Sequence, residues 1–173
     1  MSNYKEKLST VTTFIFDYDG VLTDGKVLVI NEKEQLRTSN VKDGYALQYA
    51  VKKGYRICII SGGKSDSMSQ RMNSLGINDV FLGVEKKIDV YNKYLVDNNL
   101  DKSQVLYMGD DIPDYEVMNN VGVATCPSDA AIEIKSIADY ISDAKGGDGC
   151  VRDIIEQVLR LHDNWFHKDA FHW

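Results

Sequence analysis

At 173 residues and 43% hydrophobic side chains, the chain has the length for one domain around a single substantial core. Acidic residues outnumber basic ones, 26 to 20, and the formal charge of −6 argues against a broad basic face for nucleic acid. Three cysteines, at 58, 126 and 150, lack metal-ligand spacing, and their odd number argues against a disulfide framework. The opening stretch MSNYKEKLSTV carries no long apolar segment, so the expectation is a cytoplasmic chain with no signal peptide and no membrane contact.

The first apolar run of strand length is TTFIF at 12–16, which leads straight into Asp17 and Asp19. KVLVINEKEQLRTSN, 26–40, reads as two short strands joined by a polar turn at Asn31–Glu34, a β-hairpin directly after those acids. Helical spacing follows over 43–53, with Ala46, Leu47, Ala50 and Val51 on one stripe. Further apolar runs are YRICII at 55–60, DVFLG at 79–83, QVLYMG at 104–109 and VGVAT at 121–125. Residues 86–98 place Ile88, Tyr91 and Leu95 at helical spacing, and 151–162 do the same with Ile154, Ile155, Val158 and Leu159. Strands that are continuously apolar rather than alternating, and separated by helices, predict a parallel sheet covered on both faces. The expected class is therefore α/β, a three-layer doubly wound sheet, with the hairpin overhanging the crevice at the carboxyl ends of the strands.

Four strand ends carry chemistry. Asp17 and Asp19 follow the first; Asp110, Asp111 and Asp114 follow the QVLYMG run. Parallel strands bring both acidic groups to one edge, where a cation is needed to keep so many carboxylates ionised. No His or Cys lies among them, and an all-oxygen donor set suits Mg²⁺. Ser61 ends the RICIIS run, and Gly62 and Gly63 after it are expected to open a helix whose free N–H groups cradle an anion. Lys86 and Lys87 follow the DVFLG run. A carboxylate nucleophile, an oxygen-lined cation site, a hydroxyl donor and a lysine together describe phosphoryl transfer through an aspartyl-phosphate.

With DYDGVLTDG at 17–25, Ser61 in IISG, Lys87 and GDDIPD at 109–114, the chain resembles the haloacid dehalogenase superfamily of phosphohydrolases, over about residues 11–153. That resemblance implies Asp17 as the nucleophile and Asp19 as the acid and base. It implies Mg²⁺ held by the carboxylates of Asp17 and Asp110 and the backbone carbonyl of Asp19. Ser61 and Lys87 would hold the phosphoryl group, with Asp111 and Asp114 behind them. Counting four residues from Gly83 selects Lys87, although a helix starting one residue later exchanges it with Lys86. No cap domain fits between the motifs, which implies that a neighbouring subunit covers the site.

TDGKVLVINEKEQLRTSNVKDGYALQYAVKKG and the late KGGDGCVRD narrow the resemblance to the capless phosphatases of 3-deoxy-D-manno-octulosonate 8-phosphate and of nine-carbon sialic-type 9-phosphates. This implies a homotetramer built partly through the hairpin, a role in lipopolysaccharide sugar biosynthesis, and Gly62, Arg71 and Arg152 as substrate contacts, the two arginines on the sugar carboxylate. The position that separates eight-carbon from nine-carbon substrates in that group, an Arg or a Glu, is Gly63 here; the reading leans to the octulosonate ester. A receiver-type signalling module fits poorly, because the strand ending IISGG lacks its phosphoacceptor; a non-catalytic regulatory subunit on the same fold is the other alternative. The expected organisation is a phosphatase domain over 1–162 and a C-terminal tail, 163–173. The tail's His162, His167 and His172, five apart, do not share a helix face, so a mobile or neighbour-docking segment is expected rather than a metal site.

Overall fold

The computed structural model describes residues 3–31 and 35–172. Eight strands appear: β1 Thr13–Phe16, β2 Leu28–Val29, β3 Gln35–Leu36, β4 Arg56–Ile60, β5 Asp79–Phe81, β6 Val105–Met108, β7 Val123–Cys126 and β8 Tyr140–Ile141. The helices are α1 Tyr4–Leu8, α2 Val41–Lys52, α3 Asp66–Ser74, α4 Lys87–Asp97, α5 Tyr115–Met118, α6 Ile132–Ile137 and α7 Cys150–Leu161. Six strands form a wholly parallel sheet in the order β5-β4-β1-β6-β7-β8. The chain builds outward from β1 to β4 and β5, then returns to add β6, β7 and β8 on the other side. The two halves of the sheet therefore meet at β1, the switch point where such folds open a crevice.

Both faces of the sheet are buried, which explains the unbroken apolar runs. Phe14 and Phe16 of β1, Ile57 and Ile59 of β4, and Leu106 and Met108 of β6 pack into the layer with α2 and α7. Ile15, Cys58, Ile60 and Tyr107 project into the opposite layer, with Tyr91 and Tyr94 of α4 and Ile134 of α6. The stripe on α7, Ile154, Ile155, Val158 and Leu159, is fully buried; each such side chain is worth ~1.5–3 kcal/mol of transfer free energy. α2 is also joined to α7 by a cap: Asp43 is buried and accepts the Arg152 N–H at 2.7 Å, at the start of α7. Among the described residues no cap domain interrupts the sheet.

The hairpin forms where expected, with Leu28 opposite Leu36 and Val29 opposite Gln35, while most of its turn lies outside the described residues. It exposes its apolar side chains: Leu28 is 63%, Val29 64% and Ile30 51% accessible. A two-stranded ribbon of this size does not bury enough to stand alone.

Two expectations are corrected. The tail is not free: Trp165 sets its ring edge-on to Tyr45 and Tyr49 of α2, at centroid distances of 6.3 and 5.5 Å. Tyr45 donates to the Ala170 carbonyl, Tyr49 donates to Asp169 at 3.0 Å, and Lys53 pairs with Asp169 at 2.6 Å. The segment after α7 thus docks on its own chain through aromatic area. Second, the helix after β4 begins at Asp66 rather than at the glycines, so Gly62 and Gly63 lie in a loop. The Gly63 N–H is already used, donating to Ser61 Oγ at 3.1 Å.

Candidate active site

Parallel pairing sets the site. Phe16 is level with Ile59 of β4 and with Met108 of β6, so Asp17, Ser61 and Asp110 all emerge at one edge, just past those strands. The Asp17 N–H donates to the Met108 carbonyl at 3.0 Å, which extends the ladder by one residue and holds the acid at the strand end. The chain then turns at Gly20, with φ +89°. A Cβ at this position would sit 2.0 Å from Asp110 Oδ2, so only glycine lets the two acidic loops meet. The buried Thr23 hydroxyl ties the turn together, accepting the Gly20 and Gly25 N–H groups, both at 3.3 Å.

Carboxylate oxygens of Asp17, Asp110 and Asp114 all lie within 4.8 Å of one another. Lys87, the first residue of α4, is buried among them and reaches Asp17 Oδ1 at 2.8 Å and Asp114 Oδ1 at 2.7 Å. Lys86, by contrast, points out, with its side chain 62% accessible and 3.6 Å from Asp89. Asp114 is fully committed: besides Lys87 it accepts from the Tyr107 hydroxyl at 2.5 Å and from the Asp110 N–H at 3.1 Å. Asp111 stands at the surface and caps the short turn at Ile112–Asp114.

The electrostatics leave the cluster short of positive charge. Burial, then the Asp114 charge, pushes the Asp17 carboxyl up to about 6 against the pull of Lys87. Burial again, then Asp17 and Asp114, pushes Asp110 up to about 8. Burial works to lower Lys87, but Asp17 and Asp114 outweigh it and raise the ammonium above its usual value. Asp110 Oδ1 is buried with no hydrogen-bond partner. An orphaned carboxylate oxygen beside a second raised carboxyl is the environment a hard divalent cation relieves, and the donor set is all oxygen.

Among the described residues neither Arg71 nor Arg152 hydrogen-bonds to these acids. Arg71 packs beside Gly44, where a Cβ would lie 2.4 Å from its Nη2. Arg152 lies over the rings of Tyr45 and Trp165 at 5.8 and 5.4 Å and pairs with Glu156 at 3.3 Å. The guanidinium that does reach the site is Arg37, just past β3, which grips Asp19 through Nε–Oδ1 at 2.6 Å and Nη2–Oδ2 at 3.1 Å. Sequence reading missed it: EQLR looks like an exposed hairpin residue until the hairpin folds over Asp19. Tyr107 was missed as well, hidden inside an apolar strand.

A parallel switch-point sheet that sets an aspartate pair against a buried lysine and a third acid defines a phosphoryl-transfer hydrolase. Residues 31–127 match the haloacid dehalogenase-like hydrolase family, and the chain belongs to it. Among curated relatives, the 3-deoxy-D-manno-octulosonate 8-phosphate phosphatase of Yersinia pestis is 32% identical over 91% of this chain and 84% of its own length. That of Escherichia coli K12 is 33% identical over 88% and 81%. A solved structure of the Yersinia pestis phosphatase superposes with a TM-score of 0.91 at 31% identity, covering 94% of this chain and 88% of that one. The Moraxella catarrhalis phosphatase, solved with magnesium, phosphate and KDO, matches with a TM-score of 0.91 at 28% identity over 99% and 97% of the two chains. No helix among the described residues is long and apolar enough to cross a membrane.

Proposed function

We propose that this protein hydrolyses 3-deoxy-D-manno-octulosonate 8-phosphate to the free sugar acid and inorganic phosphate, through an aspartyl-phosphate on Asp17 and with Mg²⁺ as cofactor. The observation that carries the reading is the buried Asp17–Lys87 pair at 2.8 Å beside Asp110, whose Oδ1 is buried without a partner. It is supported by near full-length similarity to phosphatases named for this ester, one of them solved with magnesium, phosphate and KDO.

In the first step an Asp17 carboxylate oxygen attacks phosphorus and the bond from phosphorus to the sugar oxygen breaks. Asp19 delivers its proton to that leaving oxygen. In the second step Asp19 takes a proton from water, the water oxygen attacks phosphorus, and the bond to Asp17 breaks to release phosphate. Lys87, Ser61 and the Gly62 backbone hold the phosphoryl oxygens, while Asp114 and Tyr107 fix the ammonium of Lys87 and Asp111 braces the loop. The Asp17 and Asp110 carboxylates and the Asp19 backbone carbonyl would hold Mg²⁺. The bound ion supplies charge to offset the phosphoryl oxygens and the crowded carboxylates.

Without a cap domain, the site needs a cover, and the exposed Leu28, Val29 and Ile30 of the hairpin fit burial against another copy. We assign the working form as a cytoplasmic homotetramer with each site closed by a neighbour, and Arg71 and Arg152 to the sugar end of that closed site. The test is a kcat/KM comparison across octulosonate 8-phosphate, the nine-carbon 9-phosphates and hexose 6-phosphates. The eight-carbon ester is expected to lead by at least about tenfold; a hexose phosphate turned over equally well overturns the reading.

A further inference from the structure

Arg37 is an unusual residue for a surface hairpin. Its side chain is only 6% accessible, and both of its bonds to Asp19 are charge-assisted, arranged fork to carboxylate. The pairing occupies both oxygens of the residue that the proposed mechanism uses as acid and base. Asp19 so held is pinned against the guanidinium rather than turned to the leaving group, and proton delivery in the proposed mechanism calls for the pair to open.

The position of the guanidinium says what opens it. In the proposed mechanism Asp19 protonates the leaving oxygen, so a cation beside it belongs to the sugar end and not to the phosphoryl oxygens. The space is defined on its other side by Gly63. A Cβ there would lie 2.7 Å from Asp19 Oδ2 and 3.3 Å from Arg37 Nη2. A side chain at position 63 would push the pair aside; the hairpin delivers a cation into the room that a side chain there would fill.

We infer that Arg37 is a specificity-determining residue that works by exchange: its guanidinium holds Asp19 until the carboxylate of a sugar-acid substrate takes Asp19's place on the same N–H groups. This rests on the substrate reading above. Exchange of one carboxylate for another conserves the hydrogen bonds of the fork and frees Asp19 for proton transfer. A neutral sugar phosphate offers no replacement and meets a site whose acid is still engaged.

The experiment pairs residue and substrate changes in one cycle. Wild-type protein, Arg37→Gln and Arg37→Lys are assayed with octulosonate 8-phosphate and with its analogue in which the carboxylate is reduced to a hydroxymethyl group. Wild type is expected to prefer the acid by about 10–100-fold in kcat/KM, the range of a hydrogen-bonded charge pair. In Arg37→Gln that preference is expected to collapse to within about threefold of unity, and Arg37→Lys, a point charge without the fork, to fall between. If Arg37→Gln keeps the wild-type preference, whatever its absolute rates, Arg37 serves Asp19 alone and the inference is overturned while the substrate reading stands. If wild type itself shows no preference for the acid, both are overturned. Thermal midpoints verify folding; should Arg37→Gln fail to fold, an undiminished preference in Arg37→Lys overturns the inference and a reduced one supports it.

Discussion

Replacing Asp110 with asparagine should make the metal-free protein more stable at pH 8 while abolishing activity. In the folded chain the Asp110 carboxyl is raised from 3.8 to about 8 and Asp17 to about 6, burial first and neighbouring carboxylates second. A folded-state value above the unfolded one means the folded protein binds more protons between the two. Stability therefore falls as pH rises from about 4 towards 8. At ~1.4 kcal/mol per pH unit, the rise of Asp110 from 3.8 to about 8 costs about 6 kcal/mol by pH 8, and relieving even half of that is about 10 °C in melting temperature for a chain of this size. The assay is thermal or urea unfolding in chelator at pH 5 and pH 8, repeated with Mg²⁺. Asp110→Asn should lie closer to wild type at pH 5 than at pH 8, exceed it at pH 8, and gain little from Mg²⁺. Wild type at 100 times its dissociation constant should gain ~2.7 kcal/mol. An Asp110→Asn protein less stable than wild type in chelator at pH 8 refutes the argument that the cluster awaits a cation.

Lys87→Met leaves Asp17 and Asp114 buried without their cation. It should cost ~3–5 kcal/mol in denaturant unfolding at pH 8 and lower kcat at least about a hundredfold; wild-type stability there contradicts the buried triad. Leu28→Asp with Val29→Asp should convert the proposed tetramer to monomers by light scattering and raise KM more than it alters the fold; a tetramer retained in the double variant contradicts the role given to the hairpin.

The strands and their acids were legible because one physical fact governs both. A strand buried on two faces reads as an apolar run, and a polar residue at its end marks the edge where the crevice opens. That reasoning pointed to Asp17, Ser61, Asp110 and the Lys86–Lys87 pair, and to a parallel sheet with five of its six strands; the sixth, Tyr140–Ile141, is too short to leave a run. The pattern failed where position depends on how separate pieces meet. Arg37 reaches Asp19 only because the hairpin folds back over the strand ends, and no local spacing encodes that. Trp165 lies beyond the last periodic helix, and its docking on Tyr45 and Tyr49 is a tertiary event. The glycines at 62 and 63 looked like a helix start because turn residues followed a strand, yet the helix waits until Asp66.

The most direct measurement is to quench a single turnover with acid, reduce the protein with borohydride and map the product by peptide mass. An acyl-phosphate on Asp17 is expected to appear as homoserine at position 17 and to vanish in Asp17→Asn. Turnover with no modified residue, or with the modification on Asp19, Asp110 or Ser61, contradicts the account.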